Sequence, residues 1–183
     1  MITTINNEKY HTFDVGLSDD QRNTLMSMID DEITNNHDDT VPLYQTYADL
    51  HITYAKDWKF FIERMNKYME DIEPRTMIDK CWANVSTVNN SYEIHTHTTP
   101  YTLVYYLQNK YPEYGTNIDN KCILPAIENT CMIMNGKVPH SIVNMPEEVA
   151  KNNKRYSIVI NYTVEQSLSE MLQEGFRKEQ EDV

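Results

Sequence analysis

No run of apolar residues in this chain is long. The longest, Thr102 to Leu107, falls far short of the roughly 20 residues a membrane-crossing helix needs. No basic-then-apolar segment with a small-residue cleavage site opens the sequence, so a secretory leader is not expected and the reading is a soluble, cytoplasmic protein. Basic residues are also scarce: 16 Lys and Arg against 28 Asp and Glu leave a formal charge of −12. A broad phosphate-tracking surface is therefore not expected, because nucleic-acid affinity comes largely from Lys and Arg neutralising phosphates. There are only three cysteines, Cys81, Cys122 and Cys131, with no C-x-x-C spacing. An odd number without that spacing fits reduced thiols better than a disulfide framework. Cys81 and Cys131 sit in apolar, strand-like stretches, where a buried free thiol is the usual meaning. Internal repeats and low-complexity segments are absent as well.

What is present suffices for one core. A length of 183 residues with 40% apolar and 24% charged side chains matches a single globular domain spanning 1–183. Ser18-Asp19-Asp20-Gln21 has the form of a capping box, and Leu25, Met28 and Ile29 follow at helical spacing, predicting a helix over 18–35. A second helical stretch is predicted over 44–71, where Leu50, Tyr54, Trp58, Phe61, Met65 and Met69 form one apolar stripe that ends at Glu73-Pro74. From Thr76 the pattern changes to short β-branched and aromatic runs: 77–87, 101–107, 122–124, 130–134, 141–143 and 156–163. Short strands separated by polar turns point to a sandwich or small barrel. The tail from Val164 reads as a helix with Leu168, Met171, Leu172 and Phe176 on one side. The expected architecture is α+β: helical support over 1–75, an all-β core over 76–163 and a C-terminal helix over 164–183.

The residues able to carry chemistry lie in the β region. His95 and His97 are two apart, so on a strand both imidazoles point to one face, and His140 stands at the edge of another strand-like run. Imidazole is a good ligand for Fe, Zn, Cu and Ni, and a strand pair joined by a distant third ligand can build a facial metal site. The bland alternative is ordinary polar residues at a strand edge, and the spacing by itself leaves both open. His11, His37 and His51, in the front half, read as surface or satisfied polar residues. In the run from Arg155 to Tyr162, Arg155, Ser157, Val159 and Asn161 share one face, while Tyr156, Ile158 and Ile160 form an apolar opposite face. A buried Arg needs an anionic partner, and a guanidinium fork beside a hydroxyl suits a carboxylate. Pairing with an acidic side chain of the chain itself remains the alternative.

The order His95-Thr96-His97, Val104-Tyr105-Tyr106-Leu107, Pro139-His140-Ser141 and Arg155-Tyr156-Ser157-Ile158 resembles the Fe(II)/2-oxoglutarate oxygenases. The prolyl-hydroxylase-like branch, with uncharacterised and partly phage-encoded relatives, is the most similar. The resemblance spans Cys81 to Tyr162, nearly half the chain. It implies a jelly-roll (double-stranded β-helix) core, with Fe(II) as metal and 2-oxoglutarate as cosubstrate. His95, His97 and His140 would hold the iron. Arg155, Tyr105 and Ser157 would grip the distal carboxylate of 2-oxoglutarate, with Asn84 lining the cosubstrate side and Asn161 as a candidate substrate contact. The implied activity is a dioxygenase, of hydroxylase type, acting with O2 on a peptidyl or small-molecule substrate in the cytoplasm (the host's, for a phage-borne gene). One position departs from the family motif H-x-D: residue 97 is His, which leaves the iron one negative charge short, and Glu93 is the less favoured substitute carboxylate. A cupin-like three-histidine dioxygenase that does not use 2-oxoglutarate, and a non-enzymatic jelly-roll binding or structural protein, are the rival readings.

Overall fold

The structure is a computed structural model that describes residues 2–5, 8–36, 44–86 and 93–165. Its elements in chain order are β1 (Ile2–Ile5), β2 (Glu8–Asp14), α1 (Asp19–Asn36), β3 (Tyr44–Gln45), α2 (Leu50–Thr53) and α3 (Lys59–Glu70). Strands β4 (Thr76–Ser86), β5 (Tyr101–Gln108), β6 (Thr116–Ile118), β7 (Cys122–Leu124), β8 (Thr130–Asn135) and β9 (His140–Ile142) follow, then α4 (Glu147–Ala150) and β10 (Arg155–Val164). A seven-stranded sheet runs β1-β2-β8-β5-β10-β4-β3, and a three-stranded sheet runs β7-β6-β9. Every pairing between these named strands is antiparallel.

The large sheet separates two apolar clusters. On its outer face, Leu103, Tyr105, Leu107, Ile158 and Ile160 pack with Leu25 and Ile29 of α1 and with Phe61, Met65 and Met69 of α3. On its inner face, Val104, Tyr106, Met132, Met134 and Val159 meet Ile118, Ala126 and Val138 from the side of the small sheet. Helices therefore back one sheet, and the inner faces of two sheets enclose the rest. This is a jelly roll with helical support. Strands β5 and β10 are both buried; β5 is a nearly continuous apolar run, whereas β10 keeps Arg155, Ser157 and Asn161 on its inner face.

The first helix begins as the capping box requires. The Ser18 N–H donates to Gln21 Oε1 at 3.0 Å, and the Gln21 N–H donates to Ser18 Oγ at 3.2 Å. The second helical reading is corrected: its span is broken into β3, α2, a turn over 54–57, and α3. Tyr44 and Gln45 pair with Val85 and Asn84 at the sheet edge, a cross-strand bond that local helical periodicity does not reveal. Leu50, Trp58, Phe61, Met65 and Met69 are nonetheless all in the same core, with Trp58 and Phe61 edge to face at 5.8 Å between centroids. The front third is also less helical than expected, because β1 and β2 extend the large sheet beyond β8. At the other end β10 continues through Val164, and the helix expected over 164–183 otherwise lies outside the described residues. Cys81 and Cys131 are buried free thiols, and burial pushes the Cys131 thiol up to about 12.

Candidate metal and anion site

The inner face of the large sheet carries the site. The register of β10 against β4 sets Arg155 opposite Ser86, Ser157 opposite Asn84, Val159 opposite Trp82 and Asn161 opposite Lys80. Against β5, Ser157 pairs with Tyr106 and Val159 with Val104. Because side chains alternate across a strand, one row of these residues looks into a single cavity of about 440 Å³. His95, His97 and His140 line the same cavity.

The histidines come from two chain segments tied by backbone pairing. His95 and His140 form an isolated antiparallel bridge, each N–H donating to the other's carbonyl at 3.0 Å. The His97 N–H donates to the Gly136 carbonyl at 2.7 Å. Gly136 is required by a second close approach, since a Cβ there would stand 2.1 Å from the Thr99 carbonyl oxygen. One ring nitrogen from each histidine falls within 4.8 Å of the others. His140 Nδ1 lies 2.8 Å from the Val138 carbonyl and His95 Nδ1 lies 3.0 Å from the Glu93 carbonyl, so both are placed as N–H donors, the tautomer in which Nε2 carries the lone pair a metal needs. Glu93 thus contributes a backbone oxygen, while its side chain is no member of the cluster. Burial lowers His97 to about 4, reinforced by the His140 and His95 imidazoles. Burial likewise lowers His140 to about 4, against the opposing bond to Val138 and with help from His95. Rings held neutral near pH 7 are the form in which imidazole binds a metal. The donor set fits a divalent transition metal of the Fe, Zn, Cu or Ni kind.

At the other end Arg155 is 4% exposed. Its Nη1 donates to the Tyr114 carbonyl and, at 3.2 Å, to the Val143 carbonyl, while its buried Nη2 has no partner. Burial pulls the guanidinium down to about 10, with the Tyr106 hydroxyl opposing. Among the described residues lining the cavity there is no Asp or Glu, so none of them supplies a side-chain anion to this charge. Asn84, 4% exposed on the same wall, has an unpartnered buried Oδ1. Both are atoms whose burial is costly without a ligand.

The expected site residues are thus largely brought together, with one correction. Tyr105 points away from the cavity into the outer-face core, 5.3 Å from the Phe61 ring, and its hydroxyl donates to Asn129 Oδ1 at 2.9 Å. Its neighbour Tyr106 lines the cavity, hydrogen-bonded to Thr116 Oγ1 at 2.8 Å. Both tyrosines lie in a strand apolar on both faces, so no alternation in the sequence reveals the phase. Ser157, Asn84 and Asn161 do line the cavity, and Asn161 also contacts His97, its Nδ2 3.3 Å from Nδ1. Sequence reasoning missed Tyr106, Thr116, Trp82 and Lys80. The alternation of Asn84 and Trp82 along β4, continued two residues back, is the signal that reaches Lys80.

Similar folds exist among solved structures. A Pseudomonas putida prolyl-4-hydroxylase superposes with a TM-score of 0.64 at 13% identity, covering 86% of this chain and 93% of that one. The fold is that of the Fe(II)/2-oxoglutarate oxygenases. A viral collagen prolyl hydroxylase from Paramecium Bursaria Chlorella virus-1, solved as a 2-oxoglutarate complex, gives 0.56 at 13% identity, covering 84% and 94%. HygX from Streptomyces hygroscopicus, with nickel and 2-oxoglutarate bound, gives 0.66 at 10% identity, covering 85% and 82%. No family model matches this oxygenase-fold chain, and no curated protein matches it by sequence. Among the described residues no helix is long and apolar enough to cross a membrane.

Proposed function

We propose that this chain is an Fe(II)- and 2-oxoglutarate-dependent dioxygenase of the hydroxylase type, acting on a small-molecule or peptidyl substrate. The observation that carries the reading is Arg155: a buried guanidinium with an unpartnered Nη2, in a cavity whose described lining holds no side-chain carboxylate and which three converging histidines also line. A structural ion pair would have supplied its own acid. An arginine left open at one end of a cavity with a metal-binding cluster in the same cavity suits a diacid that spans the two.

His95, His97 and His140 would hold the iron. Bound there, iron would supply the redox chemistry that couples decarboxylation of 2-oxoglutarate to succinate with oxidation of the second substrate by O2. The chain's own residues orient and shield. Arg155 binds the distal carboxylate with its free Nη2, and the Ser157 and Tyr106 hydroxyls, on the row beside it, add donors. Asn84 stands opposite Ser157, and with its amide turned it presents Nδ2 to the same ligand. Val104, Val159 and Trp82 wall the middle of the cavity and keep water from the cosubstrate.

Calorimetry on metal-loaded protein tests the reading. Truncating one member of a desolvated charge pair costs about 2–5 kcal/mol, so Arg155→Ala is expected to weaken 2-oxoglutarate binding at least about tenfold. Unchanged affinity in a folded variant would make Arg155 structural. Succinate formation separates this reading from a three-histidine dioxygenase that does not use 2-oxoglutarate, and absence of metal binding would favour a non-enzymatic protein.

A further inference from the structure

The second cation of the cavity is not accounted for by the cosubstrate. Lys80 is exposed and lines the cavity, yet it has no ion-pair partner among the described residues of a chain whose acids outnumber its bases. Its position along the sheet is set by register. It pairs with Asn161, whose side chain touches His97, and it shares a strand face with Trp82, whose ring centroid lies 5.8 Å from that of His97. Arg155 lies six residues back along β10, about 20 Å at the usual rise of a strand. A five-carbon diacid reaching from Arg155 to the histidines is thus taken up by those two ends and leaves Lys80 to another molecule.

Charge points the same way. With neutral imidazoles as its protein ligands, a divalent metal keeps its full charge, which the dianionic cosubstrate cancels. Arg155 and Lys80 then remain as positive charges in a cavity that has no Asp or Glu among its described lining residues. A site with the commoner carboxylate ligand at position 97 would be more negative by one charge. We infer that Lys80 and Trp82 form the binding subsite for an oxyanion group of the substrate, a carboxylate or a phosphate on a body flat enough to lie against the indole. This rests on the oxygenase reading above and narrows its substrate to an anionic small molecule. A neutral substrate would leave Lys80 answered by solvent alone.

The test uses the full chain loaded anaerobically with Ni(II) and saturating 2-oxoglutarate, with loading verified separately by calorimetry. Benzoate, phenyl phosphate and neutral benzamide are then titrated as probes. At least one of the two oxyanions is expected to bind about fivefold more tightly than benzamide, the upper range for a partly exposed ion pair. The tighter one identifies the carboxylate or phosphate class. Lys80→Ala should abolish the preference and Lys80→Arg should retain it. Equal binding of all probes, binding of none, or a preference that survives in Lys80→Ala would each overturn the inference. Failure to load metal and 2-oxoglutarate would instead overturn the oxygenase reading on which it rests.

Discussion

Asn161 is expected to decide whether His97 is a usable metal ligand. As the side chains stand, Asn161 Oδ1 accepts from Thr102 Oγ1 at 2.9 Å, and its Nδ2 faces His97 Nδ1 at 3.3 Å. Meanwhile His97 Nε2 lies 3.2 Å from His140 Nε2. That polarity puts the His97 proton on Nε2, directed at the other imidazole. For Nε2 to face a metal the proton must sit on Nδ1, and the amide must turn so that its oxygen accepts there while Nδ2 donates to Thr102. Outer partners of this kind are typically worth about 10–100-fold in metal affinity. Asn161→Leu removes the acceptor with a side chain of similar size and branching. It is expected to weaken Fe(II) binding by about that factor, and to cost about 1–3 kcal/mol of stability because the buried Thr102 hydroxyl loses its partner. Asn161→Asp offers only acceptors to His97 and should bind metal at least as tightly as wild type. The assays are anaerobic calorimetry with Fe(II) and ring-nitrogen NMR of the His97 tautomer with Zn(II). His97→Asp, a control, should retain metal through a direct carboxylate. Wild-type affinity in Asn161→Leu, with the tautomer unchanged, would refute the argument.

The adjacent tyrosines give a second expectation. Tyr106→Phe should weaken 2-oxoglutarate binding several-fold, about one hydrogen bond's worth, whereas Tyr105→Phe should leave it unchanged and lower stability by about 1 kcal/mol through Asn129. Calorimetry and urea unfolding on both variants check it, and the reverse pattern would invalidate the assignment of faces. A third concerns pH in the metal-free protein. His97 and His140 are lowered from 6.5 to about 4, so between those values the unfolded chain takes up protons that the folded one refuses. Their contribution to stability is complete above 6.5 and is lost as pH falls toward 4. Urea midpoints should drop across that window more steeply than in a His97→Gln/His140→Gln double variant. Equal slopes would exonerate the two rings.

By itself the sequence determined what local rules control. The capping box at Ser18 started α1, because a cap is satisfied within one turn of chain. The alternation from Arg155 to Asn161 separated a polar face from an apolar one, because a strand with unlike faces states its own phase. The two-residue spacing of His95 and His97 put both imidazoles on one face, because side chains alternate along an extended chain. Tertiary structure decided the rest. The strand that replaces the start of the predicted second helix follows from an edge bond between Gln45 and Asn84, partners 39 residues apart. The inward turn of Tyr106 and outward turn of Tyr105 follow from the register of β5 against β10, which a strand buried on both faces does not record. The nearness of Lys80 to His97 passes through Asn161, across two strands and a loop. Contacts of that kind depend on cross-strand pairing between distant segments, and pairing leaves no periodic mark on either segment alone.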